Sequence, residues 1–165
     1  MFNDPMDPAE VEHRLWDDIE RRQVGMLLRL GDAPQHAQPM TAFLEREPHQ
    51  LWFFAGAHSR IAADIDGGQE ALFIWQQPEL QACIGGRLRV RRDAERMRLY
   101  WNAVVAAWRP RGRDDPDLTL LCMDCEDALV WVSTAGPVRR VWEIARANAM
   151  RHPPEIGVTA HLNFH

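Results

Sequence analysis

The hydrophobic pattern opens with a helical period. Val11, Leu15, Trp16 and Ile19 repeat at helix spacing behind Asp7-Pro8-Ala9-Glu10. Asp7 can cap, Pro8 suits the first helical position, and Glu10 stands where a capping-box glutamate belongs. A helix ending near Arg22 is predicted. The run VGMLLRL, Val24–Leu30, then has strand composition, and Gly31-Asp32-Ala33-Pro34 is turn chemistry. A second strand is predicted over His36–Leu44. Pro39 places it at an edge or a bulge, because proline cannot donate to a ladder. Glu45–His49 reads as a polar loop and Leu51–Ala55 as a third strand. At Ser59 the period changes again. Ile61, Ala62 and Ile65 fall on one side of a short predicted helix, Ser59–Ile65, closed by Gly67-Gly68.

The second half continues in the same style. Ala71–Trp75 and Gln81–Arg92 read as strands joined around Pro78. In the latter, Leu88 and Val90 alternate with Arg87, Arg89 and Arg91, which predicts a solvated arginine face. Asp93–Trp108 reads as one helix and Pro110–Asp117 as a loop. Leu118–Met123 and Ala128–Ser133 read as two strands, and Pro137–Met150 as a helix through Val138, Val141, Trp142 and Ala145. The tail from Arg151, with Pro153-Pro154, is expected to be loosely ordered. Strands come in adjacent runs with short turns. That order argues for a mainly β chain with flanking helices, an α+β antiparallel sheet or barrel, and against a doubly wound parallel fold.

Length and charge narrow the class. With 165 residues, 46% of them hydrophobic, the chain suits one domain with a full core; we take residues 1–150 as that domain and 151–165 as a tail. A formal net charge of −5 argues against nucleic acid as a general partner. No apolar stretch is long enough to span a bilayer, and the N-terminus lacks the pattern of an export signal. Cys83, Cys122 and Cys125 do not form a disulfide framework, so a cytoplasmic setting is expected. Seven tryptophans against one tyrosine suggest a subunit interface or a planar ligand in addition to a core.

Familiar catalytic signatures are absent: there is no GxGxxG, GxxxxGK[ST], HExxH or GxSxG. Cys122-Met-Asp-Cys125 has CxxC spacing but sits at a strand with no further ligands at comparable spacing, so structural cysteines are expected and no metal site. The strand-to-helix junction around Ala55-Gly56-Ala57, Ser59 and Arg60 is more informative. Ser59 can be an ordinary N-cap, or it can join Arg60 in a phosphate seat where free amides and a guanidinium fork face one anion. Both readings stand on the residues alone.

Four segments in order carry a resemblance: VGMLLRL (24–30), AQPMT (37–41), LWFFAGAHSRIAADI (51–65) and WNAVVAAWRPRGRDDPDLTLL (101–121). Together the chain resembles the general stress protein branch of the pyridoxamine 5′-phosphate oxidase-like, FMN-binding split-barrel superfamily. The resemblance implies an antiparallel split β-barrel that binds FMN, or FAD, as a homodimer with flavin sites at the interface. It implies either oxidoreductase chemistry on a small molecule or a non-enzymatic flavin- or partner-binding role. By position, Ser59 and Arg60 match the phosphate element, Gln38, Met40 and Thr41 the second-strand motif, and Phe54 and Ala55 the strand bordering the flavin. Gln81 matches a glutamine reaching from the partner subunit, and Trp108 lies in an Ala-Trp-Phe-Pro-like segment. Trp75, Trp101 and Trp108 are expected near the interface. Departures are Ile61, where lysine is common, and Gln38, where arginine is common; a lysine at 61 is expected to strengthen flavin binding. A second phosphate has only Arg139 and Arg140 as candidates, and a solvated helix face accounts for them.

Overall fold

A computed structural model describes residues 6–31, 36–65, 67–133, 137–150 and 157–165. Residues 32–34 of the expected turn and the Pro153-Pro154 pair lie outside them. Helix α1, Pro8–Arg21, starts as the sequence requires: Asp7 Oδ1 accepts from the Ala9 amide at 3.1 Å and Pro8 opens the first turn. Strands β1 (Val24–Arg29), β2 (Gln38–Thr41), β3 (Phe43–Glu45), β4 (Gln50–Gly56), β5 (Gln69–Gln76) and β6 (Leu80–Arg91) follow. Then come α2 (Ala94–Tyr100), α3 (Ala103–Trp108), β7 (Leu118–Ser133), α4 (Pro137–Met150) and β8 (Gly157–Asn163).

All strand pairings are antiparallel, in the order β2-β1-β5-β6-β7-β4-β3, with β8 beside the C-terminal half of β7. This order forces curvature. β2 and β3 stand at opposite ends of the sheet, yet only Ala42 separates them in the chain. The sheet must curl until its two ends meet, and β2 then lies against β4 across a seam. The fold is an antiparallel split β-barrel with flanking helices. Pro39 is on β2, an edge strand, where its missing amide proton costs nothing.

The inside of the barrel is filled by alternate residues of each strand, among them Leu27, Leu51, Phe53, Phe73, Trp75, Ile84, Leu88 and Leu121. Val11, Leu15, Trp16 and Ile19 of α1 seal the barrel, and Ile61, Ala62 and Ile65 join the same core. A second, smaller cluster lies on the outer face of β3, β4 and β7. There Phe43, Trp52, Leu120 and Cys122 are covered by Met97, Tyr100, Trp101 and Val105 from α2, α3 and the link between them. Arg96 fixes this cover: its guanidinium forks onto Glu45 at 2.7 and 2.9 Å and lies 4.5 Å over the Trp52 ring.

Four expectations are corrected. The predicted helix 93–108 is two helices, because Trp101 is extended and Asn102 starts a new one, its side chain accepting from the amides of Val104 and Val105 at 3.0 Å each. The two predicted strands at 118–133 are one strand. The charged stretch between them is a β-bulge: Gly85 faces Asp127 and Gly86 faces Cys125, leaving Glu126 extra. A Cβ at Gly86 would stand 2.2 Å from the Asp124 carbonyl oxygen, so only glycine permits this approach. Ser59–Ile65 forms consecutive turns and no α-helix. Residues 157–163 of the expected loose tail are strand β8; Leu162 enters the core, and the Phe164 ring lies 5.1 Å from those of Trp16 and His49.

Candidate functional site

The turn segment after β4 is held from both sides. The Ala57 amide donates to the Asp117 carbonyl at 2.7 Å, and the Ser59 amide to the Gly56 carbonyl at 3.0 Å. The Ser59 carbonyl then accepts from the amides of Ala62 and Ala63 at 3.0 and 2.8 Å. Behind the segment stands Arg29, a nearly buried cation on β1. Its Nη1 donates to the carbonyls of Arg60 and Ala63, each at 2.7 Å. In front, a Cβ at Gly56 would lie 3.1 Å from Asp117 Oδ2 and 3.3 Å from Arg109 Nη2. A side chain at residue 56 would push these two side-chain ends aside by a few tenths of an ångström.

Within this frame the amides of Arg60 and Ile61 donate to nothing among the described residues, and the exposed Arg60 guanidinium pairs with no carboxylate among them. The Ser59 hydroxyl does not cap: it donates to the Gly56 carbonyl at 2.6 Å. Two successive free amides beside a free guanidinium are an arrangement that accepts an anion. Ile61, by contrast, points into the core with 3% exposure. The expectation that a lysine at 61 would strengthen flavin binding is therefore corrected, since its ammonium would have to leave the core to reach the seat.

The other predicted residues divide into two groups. Because β3 is paired with β4 with Phe43 opposite Trp52, the chain just before it runs beside Phe54 and Ala55. Gln38, Met40 and Thr41 thus line the β2–β4 seam, with Met40 packed on the core. Phe54 is half-buried on the outer face, edge-on to Phe43 at 5.9 Å and to Trp101 at 5.8 Å; Ala55 is buried inside. These five residues and the Ser59-Arg60 turn gather on one flank.

Gln81 is remote from the turn, though only β1 and β5 separate it from β2. It stands at the start of β6, opposite Gln76 and Trp131, and its Nε2 donates to the Gln77 carbonyl at 2.5 Å. Arg91 at the other end of β6 faces Leu120, two residues along β7 from Leu118, which faces Gly56. Ten residues of strand place Gln81 about 30 Å from that end. Trp108 ends α3 and is 81% exposed. Trp75 is core, fully buried, with Nε1 donating to the Arg22 carbonyl at 2.6 Å, which corrects its expected interface role. The side chains of Arg139 and Arg140 lie outside the described residues.

Sequence reasoning missed Arg29 and Arg109. Arg29 was legible only as an arginine inside an apolar strand. It also missed a band on the outer face of the sheet. Pro39, Met26, Ile74, Cys83, Leu129 and His161 stand opposite one another in turn across six strands, with Trp131 beside them. Met26, Ile74, Leu129 and Trp131 of this band are each more than a third exposed.

The cysteines carry no visible chemistry. Cys122 and Cys125 are three residues apart on one strand and so point to opposite faces, one into each hydrophobic cluster. Burial pushes the Cys122 thiol up to about 12 and raises Cys125 as well. All three cysteines are free, and no group of three or more potential metal ligands occurs among the described residues. No helix among them is long and apolar enough to cross a membrane.

A curled antiparallel sheet whose two ends meet across a seam defines the class of split-barrel proteins. The chain belongs to the pyridoxamine 5′-phosphate oxidase-like family, which it matches over residues 10–155. Among solved structures it is similar to the candidate general stress protein 26 of Jannaschia sp. CCS1, at 27% identity and a TM-score of 0.76 over 94% of this chain and 99% of that one. It is also similar to the general stress FMN/FAD binding protein of Xanthomonas citri, at 30% identity and a TM-score of 0.71 over 78% and 92%. A general stress family protein of Xanthomonas campestris pv. campestris is 32% identical, with a TM-score of 0.71 over 79% and 92%. No curated protein matches the sequence.

Proposed function

We propose that this chain is a flavin-binding general stress protein, taking FMN or FAD, with the flavin phosphate at the 59–61 turn. The observation that carries the reading is the pair of unpartnered amides at Arg60 and Ile61 beside the free Arg60 guanidinium. Unpartnered amides and a guanidinium are the donor types a phosphate takes. Ser59 can turn its hydroxyl from the Gly56 carbonyl toward the same anion. Gln38, Met40, Thr41, Phe54 and Ala55 would border the ring system along the β2–β4 seam, and Arg29 would keep the seat in shape. The Xanthomonas citri neighbour, an FMN/FAD binding protein, supports the same ligand class.

The active form in this reading is a cytoplasmic homodimer, its single domain including strand β8. One feature supports the dimer. The exposed band Met26, Ile74, Leu129 and Trp131 is an apolar strip of the kind a second copy covers. Gln81 flanks that band, about 30 Å along the sheet from its own chain's 59–61 turn and three strands, about 14 Å, from Thr41; the resemblance would have it reach the partner's flavin. Trp108 would reach the site in the same way.

When bound, the flavin supplies one- and two-electron transfer. The chain's residues would bind, orient and exclude water. Of the nine candidate residues only Arg60 is ionisable, and none of the nine is a side-chain general acid or base; His58 and Asp117, 4.0 Å apart, flank the turn. That observation keeps a binding role without turnover as the second reading. Stopped-flow mixing of the flavin-loaded protein with NADPH or NADH separates the two. Arg60→Ala tests the seat: FMN affinity in a fluorescence titration should fall by about ten- to a hundredfold, and an unchanged value removes Arg60 from the site.

A further inference from the structure

The outer face holds a cleft of about 670 Å³ between α2, the C-terminal end of β6 and the 113–119 stretch. Arg91, Arg92, Arg98 and Arg113 line it, together with the apolar Met97, Pro116 and Leu118. None of the four guanidinium groups has a carboxylate within ion-pair distance among the described residues. Asp93, on the rim, is already engaged by Arg96 Nη1 at 2.7 Å and by the Arg96 amide at 2.9 Å. Asp114 is the one other carboxylate lining the cleft.

Among the described residues, other arginines without a carboxylate, such as Arg60, are not gathered four to a cleft. A second cleft of about 670 Å³, beside α1, is also arginine-rich, but there Arg14 pairs with Asp18 at 3.9 Å and Glu79 at 3.5 Å, and Arg21 with Asp18 at 3.5 Å. Four uncompensated cations in one concavity, on a chain of net charge −5, focus a positive potential against the sign of the whole molecule. Guanidinium forks match phosphate oxygens in pairs. Four of them match a diphosphate or triphosphate better than a single phosphate. The volume suits a small organic ligand, and the apolar lining offers its uncharged part a place to lie.

We infer that this cleft binds a small organic polyphosphate, with its phosphates on Arg91, Arg92, Arg98 and Arg113 and its non-polar part against Met97, Pro116 and Leu118. The inference goes beyond the flavin reading. Arg60 does not line the cleft, and Ala57 alone of the turn segment borders it.

Isothermal titration of the full chain with ADP and with inorganic pyrophosphate, at fixed ionic strength, tests it. Both probes should bind saturably, ADP more tightly. The double variant Arg98→Ala/Arg113→Ala, at exposed positions that leave the core intact, should weaken both by about tenfold or more. Arg60→Ala should change neither by more than about twofold. Absence of saturable binding at millimolar probe, or a double variant that binds like the wild type, overturns the site. ADP binding no tighter than pyrophosphate overturns the role of the apolar lining. Equal weakening by Arg60→Ala would move the polyphosphate to the turn and overturn a separate cleft. Failure of the flavin reading would show only in the FMN fluorescence titration.

Discussion

Arg29→Met separates the frame of the candidate site from the site itself. The substitution keeps most of the side chain's volume and removes both 2.7 Å bonds, leaving the Arg60 and Ala63 carbonyls without their donor. Bonds from a charged donor contribute roughly 1.5–3 kcal/mol each. The gross loss is offset in part, because Arg29 is a nearly buried cation whose Nε has no partner, and removing a poorly compensated charge is favourable. A net loss of about 2–4 kcal/mol is expected. Urea unfolding at fixed protein concentration reads it: with a slope of about 2 kcal/mol/M, the midpoint should drop by about 1–2 M. FMN affinity should fall as well, since the segment carrying the Arg60 and Ile61 amides is no longer tied to β1. A midpoint within about 0.2 M of wild type would refute the reasoning, because the offset would then equal the gain.

Three further outcomes follow from the same structure. Ile61→Lys, which puts an ammonium into the core, should cost about 2–5 kcal/mol in a thermal melt and give no gain in FMN affinity; an affinity gain with an intact fold would show that residue 61 faces the seat. The Arg96 fork, and then the Tyr100 hydroxyl, hold the Glu45 carboxyl below its ordinary value of 4.5, so their contribution is full above that value and is lost as pH falls from there through the lowered folded value. Acid unfolding should therefore narrow the gap between wild type and Glu45→Gln below about pH 4.5, and a gap independent of pH would contradict the pairing. Trp131→Glu sets a carboxylate in the exposed band at a position 41% exposed in one chain, so the fold should survive while the dimer weakens by about 3 kcal/mol or more; sedimentation velocity showing an undiminished dimer would move the interface elsewhere.

Much of the barrel was legible because local signals and tertiary structure agree in it. The helix at 8–21 has its cap, its proline and one apolar face. The alternation of Leu88 and Val90 with the arginines gave strand and facing together, although Arg87 and Arg89 turn out to bond to the Gly68 carbonyl and to Asp124. The errors fall where a long-range contact overrides a local one. Asp124, Glu126 and Asp127 read as a break between strands, yet Gln50 and Arg89 hold Asp124 at 2.7 Å each and a bulge absorbs Glu126. The tail became a strand because β4 covers only the first half of β7 and leaves an edge that β8 completes. Asn102, a good capping residue in the middle of a helical pattern, was a signal that could have been used.

The site was legible to the extent that it is local. Ser59 and Arg60 lie in one turn, and the small residues before them announced a close approach. Arg29 lies thirty-one residues from Arg60, and nothing in its own strand says where its guanidinium goes. The arginine cleft likewise draws Arg91 and Arg113 from segments that only the fold brings together. The apolar band exists only in the cross-strand register, one or two residues from each strand.

The central claim is that the Ser59-Arg60 turn and the β2–β4 seam bind a flavin. Titration of the apo-protein into FMN, followed by flavin fluorescence and by sedimentation of the flavin absorbance, tests it directly. Binding should be saturable at one flavin per chain, with the flavin sedimenting as part of a dimer. FMN that stays free at a protein concentration well above that of the ligand would contradict it.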